Sequence, residues 1–320
     1  MRKLELFNSV KYPRSVIISG ACRSGKTTLC KLWASMQGVE WVEEPISLSL
    51  ITQCADMYMD SDGLNGISPE LFGQLWGLEF KEIANDIILC RSGVNFRPDD
   101  LSSAWGFKQP KELIDRLLHI HTREEVRGYI EEHDPVFLID IPELILALSS
   151  LNKATFGHKL FYIVRSPEDV ALETVNKNWF SDENLINPLQ ANDCSYLYEY
   201  SGKNYRLPFL VKEDDAKVFI ESSEYVRGLM YWISIAESGI ECMDSVDLML
   251  KYEDIISDPN RLVSELEDMG YGKITEKTKA ICEDIKNRSK NSSDDMIKHD
   301  KNIPEDIMKR YNTCREYYGY

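Results

Sequence analysis

The sequence predicts an α/β fold of three layers, a central parallel sheet flanked by helices. Two observations carry that expectation. Short apolar runs alternate with longer helical stretches, the pattern of buried parallel strands joined by crossover helices. The first of these runs enters a glycine-bounded loop that opens a helix, in "SVIISGACRSGKTTL" over 15–29. A length of 320 residues, 43% apolar and 28% charged, is enough for one full core.

Taken in order, the expected strands are 15–19, 40–44, 136–140, 159–164 and 246–252. Helices are expected over 26–36, 70–90, 110–131, 142–150, 168–179, 220–238, 259–269, 274–287 and 303–318. Asp258-Pro259 marks a helix start, with Pro at the first helical position. Asp169 is expected to cap the helix after Pro167. Leu229, Trp232, Ile233 and Ala236 recur at helical spacing and belong to the core. Residues 91–110 and 181–215 break the periodicity with Pro and Gly. They are expected to be loops over the carboxyl edge of the sheet, where α/β proteins bind ligands. Tyr196, Tyr198, Tyr200 and Tyr205 in the second stretch suggest contact with an organic molecule, against a plainer reading as a Tyr-rich surface excursion. The chain is expected to be a single domain over 1–320.

Gly20, Gly25, Lys26 and Thr27 satisfy G-x-x-x-x-G-K-[ST], so the fold is expected to be of the P-loop type. Glycines permit backbone N–H groups to turn inward on an anion, and the helix N-terminus adds partial positive charge. Lys26 brings a point charge, Thr27 or Thr28 a hydroxyl, and Ser24 lies within the turn. Arg23 adds a forked donor that the nucleotide-triphosphate pattern does not require.

The net charge of -16 argues against a nucleic-acid surface. It favours a neutral or cationic small acceptor and requires a local basic pocket for any anionic ligand. Eight scattered cysteines form neither a zinc pattern nor a disulfide framework. No window reaches the ~20 apolar residues of a membrane span. The expectation is a soluble, cytoplasmic protein with no membrane partner and no readable oligomeric state. The five histidines are scattered and suggest packing or surface positions.

Four segments, in order, resemble the sulfotransferases that use 3′-phosphoadenosine-5′-phosphosulfate (PAPS). "GACRSGKTTL" is similar to the family's 5′-phosphosulfate loop. "FYIVRSPEDVALET" (161–174) is similar to its 3′-phosphate strand, loop and helix. "LMLKYEDIISDPNRLVSELEDMGY" (248–271) resembles the R-Y-E-D-L-x-x-D-P segment. "CREYYGY" resembles the family's C-x-x-x-x-x-G-Y ending. The resemblance implies a single sulfotransferase-like domain with 91–110 and 181–215 over the acceptor site. It implies PAPS as cofactor, 3′,5′-ADP as product and no required metal. Arg23, Ser24, Gly25, Lys26, Thr27 and Thr28 would hold the 5′-phosphosulfate, and Arg165 with Thr174 the 3′-phosphate. Glu44, or Glu43 beside it, would take the acceptor's proton, since alternation turns only one of the pair toward the site.

Three departures stand beside the likeness. The loop reads "GKT" where much of the family reads "GTT". Asp140 replaces a frequent Lys, leaving Lys26 to stabilise the leaving group. Glu173 stands where a hydroxyl is expected, one position before Thr174, and a carboxylate beside a phosphate is repulsive. Two other readings follow: a kinase or ATPase using Mg-ATP, with "VFLID" ending in Asp140 as a metal-holding strand, and a non-catalytic nucleotide-binding member of the fold.

Overall fold

The computed structural model describes residues 14–21, 23–43, 131–140, 159–187, 195–208, 210–289 and 303–320. The helices expected over 70–90 and 142–150 and the loop over 91–110 lie outside them, as does nearly all of 110–131. Glu44 lies outside them as well.

Five strands form the expected parallel sheet: β1 (Arg14–Gly20), β2 (Val39–Glu43), β3 (Val136–Asp140), β4 (Lys159–Val164) and β7 (Leu248–Lys251). Their order is β2-β3-β1-β4-β7, so β1 lies at the centre. In register, Ile18 faces Asp140 on one side and Phe161 on the other. β1, β3 and β4 are buried along nearly all their length, with mostly apolar residues, because both sheet faces are covered, as for parallel strands generally.

Alternation splits the core in two. Val16 and Ile18 pack with Leu29, Trp33, Leu262 and Leu266, from α1 (Lys26–Trp33) and α7 (Pro259–Asp268). Ile17 packs on the opposite face with Ala171, Ile233 and Tyr318. These come from α2 (Pro167–Asn176), α5 (Glu224–Glu241) and α9 (Glu305–Tyr318). α8 (Glu276–Ser289) adds Cys282 to the first core. Three layers result, as the fold class predicts.

The single helix expected over 220–238 is two helices, α4 (Ala216–Glu221) and α5. Ser222 and Ser223 are extended between them, and Ser223 Oγ accepts from Val226 N as the cap of α5. Arg227, buried at 4% exposure, joins the pieces. Its Nε donates to Phe219 O at 2.8 Å, its Nη1 to Phe180 O at 2.7 Å, and Nη2 lies 2.7 Å from Asp182 Oδ1. Asp169 does not cap α2. Ser166 Oγ accepts from Asp169 N at 3.3 Å, because the residue before Pro167 holds the extended backbone a cap needs.

The stretch 181–215 is not a loop throughout. It contains α3 (Asp182–Ile186) and an antiparallel hairpin of β5 (Ser195–Tyr200) and β6 (Lys203–Pro208). Ser201 and Gly202, at φ 51° and 73°, make the two-residue turn with positive φ that matches strand twist. Tyr196, Tyr198 and Tyr200 share one face by their spacing of two, and with Tyr205 they pack against the α5-side core. Tyr196 donates to Val211 O at 2.9 Å, and Tyr200 bonds Glu221. Burial pushes the Tyr196 hydroxyl up to about 12, aided by Glu213. Among the described residues, no helix is long and apolar enough to cross a membrane.

Candidate functional site

The site is the turn from β1 into α1. Gly20 (φ 137°) and Gly25 (φ 92°) take conformations that L side chains rarely adopt. A Cβ at Gly20 would collide with Ile163 O, and one at Gly25 with the ring of Tyr252. Both glycines are thus fixed by neighbours from β4 and from α6 (Tyr252–Ser257). Ser24 is fully buried, and its hydroxyl donates to Ala21 O at 2.7 Å. Lys26, 5% exposed, folds back over the turn, with Nζ donating to Gly20 O at 2.9 Å and Ala21 O at 2.8 Å. Those bonds close the turn on itself and hold a positive charge at its base. Thr27 and Thr28 are half-buried in the first turn of α1.

Arg23 and Arg165 meet at this turn although they are 142 residues apart. Arg165 Nη1 donates to Arg23 O at 3.0 Å, which holds Arg23 at φ 67°. Each guanidinium lies on an aromatic ring: Arg23 Cζ is 5.0 Å from the Trp179 ring centroid, and Arg165 Cζ is 4.6 Å from that of Tyr252. Asp169 Oδ2 stands 3.5 Å from Arg165 Nε, an ion pair without hydrogen-bond alignment. Among the described residues, no carboxylate pairs with Arg23. Arg23 Nε and Arg165 Nε are both buried with no hydrogen-bond partner. Buried donors of this kind are rare, and two of them on linked cations suit an anion.

Thr174 is not brought to this place. It is 1% exposed, and its Oγ1 donates to Ala171 O at 2.7 Å, within its own helix. That hydroxyl faces Gly228 of α5, where a Cβ would collide with it. Asp140 is buried at the carboxyl end of β3, beside β1.

Trp179 and Tyr252 carry the two arginines, and the sequence gives only weak signals for that role. Trp179 belongs to no motif. Tyr252 sits within "KYEDI", part of the segment 248–271 to which the resemblance assigns no binding residue. The ring packs against Arg165 and Gly25.

The donors, the glycine turn and the helix start fit a phosphate ester. Both glycines have the positive φ that turns backbone N–H groups inward, and both arginines have a buried Nε without a hydrogen-bond partner.

No family model and no curated protein matches the sequence. The chain is similar to the sulfotransferase domain of the Synechococcus PCC 7002 olefin synthase, at 13% identity over 98% of this chain and 97% of that one, with a TM-score of 0.46. It is similar to the sulfotransferase domain of the curacin biosynthetic pathway at 13% identity, over 97% of this chain and 99% of that one, TM-score 0.47. A sulfotransferase from Alicyclobacillus acidocaldarius matches at 9% identity over 96% of this chain and 94% of that one, TM-score 0.42.

Proposed function

We propose that the chain is a sulfotransferase that binds PAPS and sulfates a hydroxyl or amine of a small neutral or cationic acceptor. The observation that supports this most is the linked pair Arg23 and Arg165, whose buried Nε atoms lack hydrogen-bond partners, beside a glycine turn. PAPS, when bound, supplies a sulfuryl group whose bond to the 5′-phosphate oxygen breaks as the acceptor's bond to sulfur forms. The chain's own residues position and neutralise. Backbone N–H groups of residues 25–28, with the Thr27 and Thr28 hydroxyls, hold the 5′ end. Lys26 releases its two carbonyls to meet the departing oxygen. Arg165 takes the 3′-phosphate. Glu44, or Glu43, receives the acceptor's proton.

A second reading has one observation in its favour: Asp140 ends β3 directly beside the strand that carries the GKT turn, as a magnesium-holding carboxylate does in ATPases. One experiment separates the readings. Under the first, 3′,5′-ADP without metal raises the melting temperature and labelled PAPS is turned over. Under the second, only Mg-ATP raises it. Stabilisation by 3′,5′-ADP without turnover would leave a binding protein.

A further inference from the structure

Arg165 is held from behind by contacts that the proposed reaction leaves unused. The peptide unit after it is fixed at both ends: Trp232 Nε1 donates to Arg165 O at 3.1 Å, and Ser166 N donates to Glu253 Oε1 at 2.9 Å. The other oxygen of Glu253 accepts from the Tyr320 hydroxyl at 2.9 Å. Tyr320 is itself anchored, for Lys251 Nζ lies 4.9 Å from its ring centroid and donates to Gly319 O at 2.9 Å. Gly319, at φ 70°, ends α9 and turns Tyr320 back toward the sheet. Between Lys251 and Glu253, Tyr252 places its ring against the Arg165 guanidinium.

We propose that Glu253 and Tyr320 are positioning residues for Arg165, aiming its guanidinium at the anion on the nucleotide's ribose. Tyr320 orients the carboxylate, the carboxylate fixes the 165–166 peptide, and the peptide sets where the arginine side chain begins. With both oxygens of Glu253 engaged by donors, its charge is also kept from competing for the arginine. Burial, then the nearby Glu253 carboxylate, pushes the Tyr320 hydroxyl well above its ordinary range, so it remains a donor at neutral pH. This inference rests on the reading that Arg165 binds a 3′-phosphate.

The test compares affinities for 3′,5′-ADP and 5′-AMP, which lacks that phosphate, by calorimetry without metal. In Tyr320→Phe the preference for 3′,5′-ADP is expected to fall roughly five- to tenfold, less than the full worth of a hydrogen bond to a charged group because the effect reaches the arginine through the peptide. Affinity for 5′-AMP is expected to hold. Glu253→Gln, which keeps shape and removes charge, falls in the same direction by less. Tyr318→Phe is the control: it loses a hydroxyl that donates to Ala236 O at 3.0 Å, lowering stability while leaving the preference intact. A wild-type preference unchanged in both site variants overturns the inference and leaves the proposed function standing. A wild type without any preference overturns both.

Discussion

Tyr252 occupies the space that a side chain at Gly25 would need, so the glycine turn is shaped by a ring from the far edge of the sheet. The same ring lies 4.6 Å under Arg165. Gly25→Ala therefore meets two obstacles at once, positive φ, costing about 1–2 kcal/mol, and a collision with the ring. It is expected to abolish nucleotide-induced stabilisation and to lower the melting temperature. Thermal melts with and without 3′,5′-ADP check this, and retained stabilisation would show that the turn is not the site.

Lys26 closes the turn, and the proposed function gives it a second duty, neutralising the leaving oxygen. Lys26→Ala is expected to remove about 3–4 kcal/mol of transition-state stabilisation, by comparison with lost oxyanion donors. It also takes a donor from Gly20 O and from Ala21 O, of which Ala21 O keeps the Ser24 hydroxyl and amide, so the further loss is one hydrogen bond's worth, ~1–3 kcal/mol. Turnover of PAPS and urea midpoints measured on one preparation separate the duties. Near-normal kcat would remove Lys26 from the reaction.

The resemblance assigns Thr174 to the 3′-phosphate, whereas the hydroxyl is spent on Ala171 O inside the α2–α5 contact. Thr174→Val is accordingly expected to leave 3′,5′-ADP affinity within about twofold, because less than a neutral hydrogen bond's worth is at stake. A tenfold loss by calorimetry would return the residue to the site.

Acid sensitivity should centre on Arg310. Its Nε lies 2.7 Å from Glu237 Oε1 and its Nη1 2.7 Å from Asp215 Oδ2. Burial works to raise the Glu237 carboxyl, but Arg310 and Lys212 prevail and bring it below its ordinary 4.5. A depressed carboxylate stabilises the fold above 4.5, and the contribution is lost as pH falls through the lower folded value. Arg310→Met is expected to be less stable at neutral pH and to lose less on acidification below 4.5. Parallel pH curves for the two proteins would exclude the network as the cause.

Arg227→Met removes a buried cation shared among Phe219 O, Phe180 O and Asp182. A loss of about 3 kcal/mol or more is expected, within the range for breaking buried charge interactions. Urea titration measures it. A change below about 1 kcal/mol, the scale of exposed pairs, would place the arginine's worth at the surface.

The strands were legible because parallel strands buried on both faces are apolar along their length; "VFLID" and "KLFYIV" match β3 and β4 residue for residue. Pro259 marked a helix start by its fixed φ. The hairpin was not legible, since Ser201 supplies a positive φ that Ser seldom takes and Gly202 alone reads as a loop residue. The double serine at 222–223 hid a boundary inside an otherwise continuous apolar period. At the site, the turn and both arginines stood in motifs. Their aromatic supports did not, because Trp179 and Tyr252 reach them only through the tertiary fold.

The distance along the chain between the site's parts bears on how the protein is made. β1 is synthesised first, yet Arg14 bonds Asp134 O across 120 residues and Arg23 is held by Arg165 across 142. Closing such long loops precedes any reward from strand pairing, so assembly is intrinsically slow. A ribosome-bound chain ending short of β7 and α6 would display an incomplete turn, and nucleotide could capture the protein only late in its synthesis.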